Sequence, residues 1–230
     1  MHDTRTIEVK ENILGENDRI ADQVNHELTH KKVFAVNVMG APGVGKTTVL
    51  LKLIERLEKF RPYVIEGDIE SDLDTKLLLE RGIPAFQINT FGACHLDAPQ
   101  VRDAVSGIGF GGGTGSDAEA SILFIENVGN LVCPAEFNIG EHMRVLVCSV
   151  TEGSDKPYKY PLAFREAGIV LLNKTDLCPY LDFDEGFFVR GLRALNKEAP
   201  LIRVSGKTGE GFSEAAQVLE NMAEAVLKDH

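Results

Sequence analysis

At 230 residues, with 43% hydrophobic and 26% charged side chains, the chain has the composition of an ordinary globular domain and is long enough to bury a substantial core. A net charge of −11 argues against a nucleic-acid partner, which needs a basic face. No apolar run approaches the ~20 residues that span a bilayer, so no membrane role is expected either.

The amino terminus, MHDTRTIEVKEN, lacks the basic-then-apolar layout of a signal peptide, and a cytoplasmic location is expected. The four widely spaced cysteines, Cys94, Cys133, Cys148 and Cys178, then point to metal or redox work or to plain burial, not to disulfides.

In chain order, residues 11–30 place Ile13, Ile20, Val24 and Leu28 on one face and predict an amphipathic helix. We divide the chain into this helical extension, 1–30, and a domain, 31–230. VFAVNVMG (33–40) reads as a strand and TTVLLKLIERLEKF (47–60) as a helix. YVIEGD (63–68) is strand-like, LDTKLLLERG (73–82) helical and PAFQINT (84–90) strand-like. GIGFGGGTGS (107–116) is a low-complexity segment to which we assign no role. Three apolar runs follow, SILFIEN, RVLVCSV and GIVLLNK, then a helix at FFVRGLRALN, a strand at APLIRVSG and a closing helix. Strands alternating with helices predict an α/β fold with a mostly parallel sheet covered on both faces, and ligands beyond the carboxyl ends of its strands.

GAPGVGKTT (40–48) fits the phosphate-loop pattern G-x-x-x-x-G-K-[ST] directly after a strand and before a helix, the context the motif requires. Gly40, Gly43, Val44 and Gly45 would turn backbone N–H groups toward phosphate oxygens, with the helix N-terminus adding positive potential. Lys46 would bridge the terminal phosphates, the Thr47 hydroxyl would ligate Mg²⁺, and Thr48 completes the set.

LLNKTD (171–176) resembles the guanine-reading N-K-x-D segment of GTPases. Asp176 would accept from N1–H and N2–H₂ of guanine, a donor pair that adenine lacks, with Asn173 reaching the base or bracing the loop and the Lys174 stem covering the ring. VSGKTG (204–209), with Ser205 and Lys207, sits where a second base-contacting loop is expected. At the triphosphate end, Asp68 in EGDIESDLD and Glu126 in FIENVGN are the candidate Mg²⁺-binding or water-positioning carboxylates. Glu126 with Gly129 resembles a D-x-x-G switch in which Glu replaces Asp. We expect Lys46, Asp68 and Glu126 to carry hydrolysis, and no glutamine or arginine finger is evident to accelerate it.

Cys94 and His95 follow the strand PAFQINT, and Cys133 lies seven residues beyond Glu126. If both strands end at one sheet edge, the loops can meet and offer two thiolates and an imidazole, a set that suits Ni²⁺ or Zn²⁺. Incidental or buried thiols remain the alternative on these grounds. Three ligands do not close a tetrahedron, but a two-fold dimer would bring two sets together. Cys148 is expected in the core and Cys178 in a loop.

Together, GAPGVGKTT, EGDIESDLDT, INTFGACHLDA, FIENVGNLVCPAEFNIGE, TEGSDKPYKYP and LLNKTDLCPY closely resemble the HypB family of GTPases, which assist nickel insertion into [NiFe]-hydrogenase. The likeness runs from about residue 15 to the C-terminus. It implies a SIMIBI-type P-loop GTPase that hydrolyses GTP to GDP slowly and forms a homodimer promoted by nucleotide and metal. It also implies an interfacial metal site matching Cys94, His95 and Cys133. Delivery would be to a hydrogenase large-subunit precursor or to another nickel chaperone, with Lys156 and Lys159 either contacting nucleotide across the dimer or standing as solvated surface lysines. The first 30 residues carry His2, His26 and His30 but no cysteine, a departure from relatives with an N-terminal cysteine-rich nickel motif. A P-loop kinase and a regulatory GTP-binding module with a structural zinc are the competing readings. The first leaves N-K-x-D unexplained.

Overall fold

The computed structural model describes residues 4–68, 73–110 and 120–228, with side chains described for 14–67, 75–110 and 120–228. The nine-residue stretch 111–119, which contains most of the glycine-rich segment, lies outside them. Seven strands form one sheet in the order β3-β2-β4-β1-β5-β6-β7: β1 Val33–Met39, β2 Arg61–Asp68, β3 Ala85–Asn89, β4 Ser121–Glu126, β5 Met143–Ser149, β6 Ile169–Asn173 and β7 Leu201–Arg203. Every strand pair in it is parallel, so the expected mostly parallel sheet is wholly so. β1, β4 and β6 are buried along their whole length, which is why they read as continuous apolar runs without alternation.

Helices cover both faces. Phe34, Val36 and Val38 of β1 face α2 (Lys46–Ile54), α3 (Leu73–Glu80) and α9 (Phe212–Lys228), where Leu50, Leu53, Leu78 and Leu219 close one core. Val33 and Ala35 point the opposite way, toward α1 (Thr4–His30) and α4 (Ala98–Ser106). There Ile20, Val24 and Leu28 are buried with Val101 and Val105. Each such side chain contributes about 1.5–3 kcal/mol by leaving water. A third cluster packs α7 (Pro161–Arg165) and α8 (Glu185–Leu195) on β5 and β6.

Three local readings are corrected. α2 ends at Ile54, not near Phe60, because the Glu58 and Lys59 N–H groups donate to Glu220 Oε1 of α9 at 2.7 and 3.0 Å. That distant carboxylate stops a periodicity that locally could continue. α1 begins at Thr4, earlier than the apolar spacing indicated. α4 was not anticipated, although Asp97 and Gln100 form a reciprocal capping box at its start with Pro99 in the first turn.

Candidate functional site

The register brings the strand ends to one edge: Val38 pairs Glu126, Glu66 pairs Glu126, Asp68 pairs Asn89 and Ser149 pairs Asn173. β1 lies between β4, from the half that winds toward β3, and β5, from the half that winds toward β7. The loop after β1 therefore sits at the crevice where the winding reverses, the position at which open parallel sheets bind ligands.

That loop is the glycine motif. Gly43 and Gly45 have φ of 76° and 93°, left-handed conformations that Cβ-bearing residues adopt at a cost. A Cβ on Gly40 would stand 2.6 Å from the Val147 carbonyl oxygen, and one on Gly45 would stand 2.8 Å from Asn173 Nδ2. No side chain caps α2, whose N-cap is Gly45, so its first-turn N–H groups face a cavity of about 390 Å³. Gly43, Gly45, Lys46, Thr47, Glu66, Glu126, Asn127 and Gly129 line it. Thr47 Oγ1 donates to Glu126 Oε1 at 3.1 Å. Glu66, also buried and accepting from Thr75 Oγ1 at 3.2 Å, was not singled out from the sequence, because its neighbour Asp68 carried the same signal at the strand end. Asp68 closes β2, and its side chain lies outside the described part.

A second cavity, about 300 Å³, adjoins the loop and is lined by Gly45, Thr48, Asn173, Lys174, Asp176, Leu177, Gly206 and Lys207. Asn173 ties three segments, with Nδ2 donating to Val44 O at 2.8 Å and Oδ1 accepting from Gly206 N at 3.1 Å. Lys174, at φ 62°, lays its ammonium on Gly43 O at 2.7 Å. Asp176 is half-buried, and its Oδ1 accepts from Ser205 Oγ at 2.6 Å. Ser205 is fully buried and does not line the cavity, so it braces Asp176 where a contact with the base had been expected.

The third cluster answers whether the cysteine loops meet. Among the described residues, Cys94, His95 and Cys133 alone form a group of three metal-ligating side chains, with ligand atoms all within 4.8 Å of one another. Cys94 Sγ lies 3.5 Å from His95 Nδ1, in a turn that follows Gly92 at φ 90°. Cys133 opens the short helix α5, Cys133–Glu136. The hydrogen bond to Cys133, then burial, pushes the Cys94 thiol above its ordinary range. Partial burial lowers the His95 pKa, favouring the neutral imidazole that coordinates metal, and its ring packs on Phe137 with centroids 4.0 Å apart. Asn130 joins this cluster to the phosphate loop, through a backbone bridge to Gly40 and a 3.4 Å bond from Nδ2 to Cys94 O.

Residues 34–203 match the family described as CobW/HypB/UreG, nucleotide-binding domain. The hydrogenase maturation factor HypB of Azotobacter vinelandii is 45% identical over 212 residues, 92% of this chain and 68% of that protein. This chain belongs to the HypB family. Solved HypB structures share its fold. That of Helicobacter pylori, described as a complex with nickel, is 32% identical with a TM-score of 0.83, over 91% of this chain and 96% of that one. That of Archaeoglobus fulgidus is 34% identical with a TM-score of 0.81, over 91% of this chain and 100% of that one.

The remaining candidates fall elsewhere in this HypB fold. Cys148 is fully buried in the β5–β6 core, where burial holds its thiol well above the ordinary range, and half-buried Cys178 lies 3.9 Å from Arg203 Nη2. In α6 (Lys156–Lys159), Lys156 pairs with Glu152 at 3.1 Å and Lys159 with Asp155 at 2.5 Å within the chain. His26 and His30, on exposed turns of α1, bring their Nε2 atoms to 3.1 Å at the end of α1 that leads into β1, away from the edge carrying the cysteines. Among the described residues no helix is long and apolar enough to cross a membrane.

Proposed function

We propose that this HypB-family protein is a GTP-hydrolysing nickel metallochaperone for [NiFe]-hydrogenase maturation, in which nucleotide state and dimerisation govern metal binding and release. The observation that carries this reading is the two-thiol, one-imidazole cluster held within 4.8 Å and joined through Asn130 to the first residue of the phosphate loop. The nickel complex of the Helicobacter pylori HypB supports it, as does the hydrogenase-maturation role of the Azotobacter vinelandii relative. The donor set fits nickel and zinc and is wrong for magnesium or calcium, which take oxygen.

On this reading the glycine-lined cavity holds the phosphates of GTP or GDP, with Lys46 on the terminal groups. Thr47 and Asp68 would hold Mg²⁺, which shields charge developing on the phosphates. Glu126 accepts a hydrogen bond from the Thr47 hydroxyl, which leaves the hydroxyl lone pairs to face a cation. Asp176, braced by Ser205, selects guanine; Lys174 and Lys207 border the base. Without an arginine finger, turnover is expected at roughly 10⁻⁴ to 10⁻² per second. The acceptor of the metal would be the hydrogenase large-subunit precursor or another nickel chaperone, in the cytoplasm.

The test is nickel and zinc affinity of the purified protein with GDP and with a non-hydrolysable GTP analogue. Affinity for the metal should differ between the two states. Equal affinity would leave a GTP-binding module whose metal is structural.

A further inference from the structure

We propose that Asn17 and Asn127 are positioning residues of the metal site, two buried amides that hold the Cys94–His95 turn against the Cys133 segment. The proposal rests on the reading of Cys94, His95 and Cys133 as ligands of one ion, and it concerns what makes their two loops meet.

Asn17 stands on α1 and is 5% exposed. Its Oδ1 accepts from Ala98 N at 2.9 Å, and its Nδ2 donates to Asn138 O at 2.7 Å. Ala98 lies three residues past His95, and Asn138 five past Cys133. One amide thus links the two ligand segments, using its acceptor for one and its donor for the other. Aspartate offers no donor to the second, and an apolar residue would leave a buried N–H and a buried C=O unpaired.

Asn127 does the same from just past the end of β4. It is 1% exposed, and its Oδ1 accepts from Leu96 N at 3.1 Å, one residue past His95, and from Val128 N at 3.0 Å. Its Nδ2 donates to Asn37 Oδ1 at 3.2 Å, and Asn37 Nδ2 donates to Glu141 Oε1 at 3.2 Å. Arg144 Nε donates to the same Glu141 oxygen at 2.6 Å. The two remaining Arg144 nitrogens donate to Ala135 O at 3.1 Å and Phe137 O at 3.2 Å, just past Cys133. Phe137 returns its ring to His95. The network therefore leaves one ligand turn, crosses β4 and β1, and ends on the other ligand segment.

A strut of this kind differs from general core support in where it acts. The apolar clusters hold the sheet and helices without these amides, whereas loops longer than a few residues gain a single geometry only from such bonds. The two struts also differ from each other. Asn127 lines the phosphate cavity, but Asn17 does not.

The experiment measures Ni²⁺ affinity of the full chain by competition with a chromophoric chelator, together with the thiolate-to-nickel absorption band, GTP affinity and thermal midpoint. Asn17→Ala should weaken Ni²⁺ about 10- to 100-fold and shift the absorption band, with GTP affinity unchanged within about twofold. Asn127→Ala should weaken Ni²⁺ comparably and also reduce the difference in Ni²⁺ affinity between the GDP-bound and analogue-bound states. Wild-type Ni²⁺ affinity and an unshifted absorption band in Asn17→Ala, or a parallel loss of GTP affinity, would overturn the proposal. Should Asn17→Ala not fold, Asn17→Asp, which keeps the acceptor for Ala98 and removes the donor to Asn138, carries the same comparison. Undiminished Ni²⁺ binding by Cys133→Ala itself would instead overturn the metal-site reading beneath it.

Discussion

One Asp176 oxygen accepts the Ser205 hydroxyl, an arrangement that aims the carboxylate into the adjoining cavity. On the guanine reading, two charge-assisted bonds at about 1.5–3 kcal/mol each would make Asp176→Ala cost at least roughly 100-fold in GTP affinity. Competition binding should show discrimination against ATP shrinking in step, and equal GTP and ATP affinity in the unaltered protein would remove the guanine assignment. At the metal cluster, the direction with pH follows from the shifts. Cys94 is raised, so a metal must displace its proton at neutral pH, while His95 is lowered and already neutral there. Ni²⁺ affinity should therefore climb with pH through the neutral range and beyond the ordinary thiol value, and fall as pH drops. Cys94→Ala and Cys133→Ala should abolish the site while GTP binding persists, whereas Cys148→Ala and Cys178→Ala should leave the metal in place. A pH-independent affinity between pH 6 and 9 (about the span from imidazole to thiol titration) would contradict thiolate ligation.

At the scale of elements, the glycine motif and N-K-x-D were legible because each encodes its own local geometry. Gly43 and Gly45 take the left-handed conformations their residue type permits, and Asn173 reaches the loop they form. Helix ends were less legible. The start of α4 is written in the Asp97–Gln100 box, but the end of α2 is set from α9 by Glu220, a residue 162 positions away from Glu58. Glu220→Ala should remove the acceptor of two N–H groups on exposed residues, at about 0.5–1.5 kcal/mol each. Urea unfolding should register that loss with an unchanged m-value. A change under 0.5 kcal/mol (about the scatter of neutral surface substitutions) would mean that α2 ends for local reasons.

For the whole molecule, the three candidate ligands of one chain would leave a metal short of a closed protein shell. A shared site in a two-fold dimer would complete it, and metal bound only by the dimer would stabilise the dimer by mass action. Sedimentation with and without Ni²⁺ and GTP analogue should show a metal- and nucleotide-promoted dimer with about one ion per two chains. One ion per chain with no change in mass would place the remaining ligand within the protomer or in water. The exposed Phe91 and Val132, flanking Cys94 and Cys133 in sequence, are apolar groups that such a contact would cover.

Residue types and short spacings were enough to read the nucleotide-binding motif, the alternation of strands with helices and the candidate metal-ligating side chains. These depend on residue type at short spacing, and local backbone sterics and ligand chemistry read them directly. Tertiary structure decided the rest. It brought Cys133 to Cys94 and His95 across 39 and 38 residues of chain, moved Ser205 from the base to the back of Asp176, and set Glu66 beside Glu126 in the phosphate cavity. It also joined Asn17 to Asn138 over 121 positions. Such pairings are fixed by which buried donors and acceptors the packed sheet leaves facing one another, and spacing along the chain carries no record of that.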